Sequence, residues 1–207
     1  TLGGTGVDRQ YIQDRIDDIK SDAGVAQTAL GGIQGKLMAG MLSLSDTINN
    51  ASLTVGSYPT SRAQTEALQK LGGAEMFING KAEAVGSSSS LEEVKGHVQE
   101  VKDFITHNKD DLRSSIEEAL MAGFQQTAAL LETFFSTARF TAATQNRIGQ
   151  LSEADFNQAM AAIEEGEQSL ASAEAAIDTN MKQALEDLAN AGKKAAEVAE
   201  ILGMNVQ

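Results

Sequence analysis

The chain contains no cysteine, no tryptophan and one proline, Pro59. Without cysteine there is no disulfide framework and no thiolate metal site. That absence suits the cytoplasm, a virus particle and a secreted bacterial assembly equally. With one proline, almost all of the chain is free of the residue that breaks helices. Aromatics are 4% of the sequence, two Tyr and seven Phe. Large rings therefore supply little of the core, and burial rests on small side chains at about 25 cal/mol per Å². Cations are also scarce. Sixteen Lys and Arg face 29 Asp and Glu, a net charge of −13. They form no basic run, which argues against sequence-independent phosphate binding and against charge-driven anchoring to anionic lipid. No apolar run reaches the roughly eighteen residues of a standard transmembrane helix.

Chemical motifs are missing too. Gly3, Gly4 and Gly6 lack the spacing and the preceding strand of a dinucleotide fingerprint, and no HExxH, phosphate loop or calcium loop occurs. Glu93, His97 and Glu100 share a helix face at metal-like spacing. Di-metal bundles need the Glu-x-x-His pair twice over, however, and the only histidines are His97 and His107. A solvated face is the expected reading. The sequence names no catalytic residue, no cofactor and no metal ligand, and the chain reads as not an enzyme.

What is present is helical periodicity. The central stretch is Gly24 to Asn50, where Leu30, Ile33, Leu37, Met41, Leu44 and Ile48 recur at steps of three and four. That is the alternation of a coiled-coil seam. Gly31, Gly32, Gly35 and Gly40 lie inside it, and Val25 to Leu44 carries one charge, Lys36. Glycines in a helix cost entropy, and they permit close approach to a partner. Leu30, Gly31, Ile33, Gly35, Leu37, Gly40, Met41 and Leu44 are the predicted contact residues.

Before this stretch, residues 1–7 read as a lead-in, Asp8 as a helix cap, and Ile12, Ile16 and Ile19 as one apolar face. After it, residues 51–60 read as a connection around Tyr58-Pro59. Ser61 with Gln64 predicts a capping box for a short helix that Gly72-Gly73 ends. Met76 to Ile78 followed by Asn79-Gly80 reads as a hairpin edge or a buried turn. Gly86 to Ser90 reads as a linker, dividing the chain into an N-terminal region, 1–86, and a long antiparallel helical pair, 87–207, with one continuous domain as the alternative.

Ser90 and Glu93 predict a second capping box. From Leu91 the apolar positions alternate by three and four, falter at His107-Asn108, then resume. Asn108 either caps a fresh helix or sits inside one that runs to about Arg147. Phe124, Phe134, Phe135 and Phe140 predict the best-packed core there. Gly149 with Leu151 predicts a stop, and Ser152 with Asp155 a new start. From Phe156 to Leu202 one helix is expected, closed by Gly203. Residues 151–207 hold eleven acids against three lysines, a net of −8.

Glu167 and Glu174 fall at seam positions of that helix. A charge on a seam destabilises unless paired, and it can set register or oligomer state. Arg139 and Arg147 are possible partners if the helices pack antiparallel. A polar lumen lined by Glu167 and Glu174 in an oligomer is one reading, and simple exposure is the other.

The fold expectation is therefore all-α: an elongated, coiled-coil-like bundle of three long helical segments plus short helices. The function expectation is a non-enzymatic assembly subunit that forms a homo-oligomer with other assembly proteins, most concretely a bacteriophage virion component of the internal, ejection or conduit type. It would be cytoplasmic before assembly and then virion-borne or part of a secreted bacterial assembly. It would make no direct sequence-specific contact with nucleic acid. The alternatives are a membrane-active pore former inserting through 25–44 and a ligand-sensing helical bundle.

Overall fold

The computed structural model describes residues 9–204, with side chains for Ser21 and from Gly24 onward. The lead-in 1–7, the Asp8 cap and the face of Ile12, Ile16 and Ile19 lie outside what it describes. The fold is an all-α helical bundle. Five helices are described: α1 Arg9–Gly56, α2 Arg62–Ser87, α3 Leu91–Arg147, α4 Glu153–Ala176 and α5 Met181–Leu202. Two compact units share them. The first is Thr1–Leu53 with Leu68–Ser114, and the second is Thr54–Ala67 with Ser115–Gln207.

Local chemistry explains most boundaries. Ser61 Oγ accepts from Gln64 N at 3.0 Å and starts α2. The reciprocal half of that box is not made. The Gln64 amide instead donates to Val55 O and Tyr58 O, at 3.0 and 2.7 Å, and closes the end of α1. Ser90 Oγ accepts from Glu93 N at the start of α3. The Glu93 carboxylate returns to the backbone N–H of Ser89, one residue before the expected one. Gly149 stops the third helix with φ +73°, and Ser152 caps the fourth through Asp155 N. Gly203, at φ +64°, ends α5, with Met204 N reaching back to Ala199 O at 2.8 Å. Both left-handed positions need glycine for the steric reason that it lacks Cβ.

Four expectations are corrected. The connection after α1 begins at Ser57 rather than residue 51, because the helix continues through Gly56. Gly72-Gly73 does not end α2, and Asn79-Gly80 does not turn. Leu71, Ala74, Ile78, Ala82 and Val85 form one fully buried line through these glycines, and tertiary burial outweighs a propensity cost of about 1 kcal/mol per glycine. At Asn108, where the sequence leaves two readings open, the continuous helix to Arg147 is the one observed. Asn108 Nδ2 donates to Phe104 O, one turn back, and α3 runs on. Finally, the last helical stretch is two helices. It breaks after Ala176, and Asn180 Oδ1 accepts from Gln183 N to open α5.

In the first unit α2 and α3 run antiparallel. Lys70 pairs with Asp111, Lys81 with Glu100, and Phe77 stacks on Phe104 with centroids 4.4 Å apart. In the second unit α3 and α4 are held by Arg139 and Glu167, and α4 and α5 by Lys194 and Glu165. Nine of the sixteen buried residues in the second unit's core cluster are alanine. Helix backbones therefore approach closely, and Phe135, 1% exposed, supplies much of the bulk.

Candidate functional site

The predicted contact residues on α1 fall into two groups. Met41 and Ile48 are buried, while Leu30, Leu37 and Leu44 are half-buried. Ile33 is 40% exposed and Val25 68%. The seam thus opens toward the start of the helix. Its anchor is at Gln34, whose side-chain amide donates to Val85 O at 3.0 Å and Ser88 O at 2.8 Å. Val85 O lies in the last turn of α2 and Ser88 O just past it, where the regular helical ladder runs out. One turn on, the Met38 thioether lies over Gly86.

Past that anchor an apolar groove of about 750 Å³ opens between α1 and the start of α3. Leu30 and Ile33 line one wall, and Leu91 lies opposite them. An adjoining hollow is walled by Ile33, Leu37, Val94 and Val98. Leu91 is 44% exposed. The groove is lined by the residues that the three-four spacing singles out.

The glycines of this stretch stand apart from their neighbours in the chain. A Cβ added at Gly31, Gly32, Gly35 or Gly40 would meet nothing within 4 Å. Among the described residues they make no close helix contact. The glycines that do are elsewhere. A Cβ on Gly166 would lie 2.3 Å from Phe135 Cζ, and one on Gly123 would lie 2.6 Å from Tyr58 Cβ. Neither is on the seam that the sequence emphasises. The only available signal for Gly166 is a lone glycine inside an otherwise strong helical pattern.

Glu167 and Glu174 do not occupy the core line of α4. Gly166, Leu170 and Ala173 take it. Glu167 meets Arg139 at 2.7 Å, with both side chains over 40% exposed. Glu174 is exposed. With Glu132 both border a small groove of about 300 Å³ beside Phe135 and Leu170.

The Glu93, His97 and Glu100 group is engaged locally. Hydrogen bonding from Ser89 holds Glu93 below its usual carboxylate range, and hydrogen bonding from Lys81 does the same for Glu100. His97 Nδ1 lies 3.9 Å from Glu100. Among the described residues no group of three or more His, Cys, Asp or Glu is arranged to hold a metal ion. Among them, too, no helix is long and apolar enough to cross a membrane.

Phe140 contradicts the expectation of a core aromatic. Phe124 and Phe135 are buried, but Phe140 is 74% exposed on α3. Leu130 on the same helix and Ile148, one residue past its end, are exposed at 64% and 57%. No protein-family model, no curated protein and no solved structure matches the chain.

Proposed function

We propose that the chain is a non-enzymatic structural subunit that assembles with copies of itself. One observation carries the reading. The apolar seam of α1, buried at Met41 and Ile48, continues into an open groove at Leu30, Ile33 and Leu91. Apolar side chains left beside a preformed groove favour a helical partner, because burial there removes area from water at about 25 cal/mol per Å². In its most concrete form the protein is a bacteriophage virion component of the internal, ejection or conduit type. Composition supports that form: no cysteine, few aromatics and a charge of −13, which keeps an acidic conduit from adhering to DNA. Mass in solution by light scattering tests the reading. A ring, tube or smaller defined oligomer supports it, and a monodisperse monomer at all concentrations rejects it. Ile33→Asp should reduce assembly while leaving helicity intact.

A second reading rests on Val25 and Ile33, exposed within a twenty-residue segment that carries only Lys36. On that reading the segment enters lipid once several copies have gathered. Leakage from liposomes that Leu37→Asp abolishes without unfolding supports it. No leakage under any condition removes it.

A further inference from the structure

The exposed face of α3 in the second unit is unusual for a chain with this charge. Leu130 and Ile148 are eighteen residues apart, about five turns, so they lie on one line of the helix. Ile148 still donates its N–H to Thr144 O and continues the helical geometry. Thr133, Thr137 and Phe140 fill the strip beside that line. The two threonine hydroxyls donate to Ala129 O and Thr133 O, both at 2.9 Å. Each hydroxyl's one proton is thereby committed to the helix backbone, which makes the strip less polar than its two threonines suggest. Between Glu132 and Arg147 the only charged residue is Arg139, and that is paired with Glu167.

The pattern is self-complementary about Phe140. Leu130 lies ten residues before it and Ile148 eight after, while Glu132 lies eight before and Arg147 seven after. A two-fold axis perpendicular to the helix keeps each flank on its own side and reverses direction. It sets Phe140 beside Phe140 of a second copy, Leu130 opposite Ile148, and Glu132 opposite Arg147. We infer that this face is an antiparallel, two-fold contact between two copies of the chain, centred on Phe140. Charge selects a second copy as the occupant. Two chains of −13 can meet only where their own charge is absent or cancels, and this strip has both properties. The inference rests on the assembly reading and assigns it an interface separate from the α1 groove.

The lack of native cysteine allows a direct test on the full chain. Phe140→Cys should give a covalent dimer on mild oxidation, several-fold above Met76→Cys, an equally exposed control on α2. A mixture of Leu130→Cys and Ile148→Cys should cross-link to each other several-fold more than Leu130→Cys to itself. Phe140→Asp should lower the mass by light scattering with helicity unchanged. Cross-linking of Phe140→Cys no greater than the control overturns the contact, as does preferential self-linking of Leu130→Cys. If that happens while the wild type still has oligomeric mass, assembly stands and this interface falls. A wild-type monomer at every concentration removes both.

Discussion

At the residue scale the glycines divide by what surrounds them. Gly166 carries the Phe135 ring, and an added methyl would sit 2.3 Å from Cζ. Gly166→Ala should therefore destabilise by about 1–3 kcal/mol through overpacking, despite its better helix propensity. Gly35→Ala meets nothing within 4 Å and should stabilise the monomeric fold by about 0.5–1 kcal/mol. Denaturant melts of both variants check the contrast. If Gly35→Ala raises the melting point but lowers the mass, that glycine serves contact between copies. Tyr58 supplies a pH test. Burial pushes its phenol above the usual range. A raised folded pKa means that the folded state holds the proton more tightly. The associated stability is complete below the ordinary tyrosine value of about 10 and is lost as pH rises through the higher folded value. Denaturation midpoints should fall as pH rises past about 10, and fall less in Tyr58→Phe. On the acid side the sign is opposite. Glu93 and Glu100 are held low by Ser89 and Lys81, so their contribution is present above the ordinary Glu value and is lost as pH falls through the lower folded values.

At the scale of the elements, caps and breaks decide where helices end, and burial decides where they do not. Ser61, Ser90, Ser152, Gly149 and Gly203 were legible because a side-chain oxygen or a glycine at a helix end acts through its nearest neighbours. The passage of α2 through Gly72-Gly73 was not legible. It depends on Leu71, Ala74 and Ile78 being buried by other helices. The split between α4 and α5 was missed although Asp178-Thr179-Asn180 carries a turn signal, because apolar spacing continued across it. Asn180→Ala should cost about 0.5–2 kcal/mol, since Gln183 N would lose its acceptor. Calorimetry of that variant measures it. Gln64→Ala removes the amide that donates to Val55 O and Tyr58 O, and should cost about 1–3 kcal/mol because Val55 O keeps only the longer bond from Tyr58 N and Tyr58 O loses this donor.

At the scale of the whole molecule, charge is the dominant global property. A net −13 opposes compaction and opposes contact between copies. Raising salt from about 10 to 150 mM, where the Debye length shortens to about 8 Å, should raise the melting temperature and increase the oligomeric fraction. Thermal scans and light scattering at matched protein concentrations check this. A fall in both would mean that attractive ion pairs outweigh the net repulsion. The all-α class, the starts of α2, α3 and α4 and the absence of catalytic and ligand motifs were determined by the sequence itself, since each depends on residues within a few positions of one another. The seam residues Leu30, Ile33 and Leu37 were visible for the same reason. Which of them stay open was decided only by the tertiary structure, because burial depends on neighbours that periodicity does not name. The same holds for Phe140 and Phe135. Both are phenylalanines on α3, five residues apart, and their positions around the helix turn one onto Gly166 and the other to solvent.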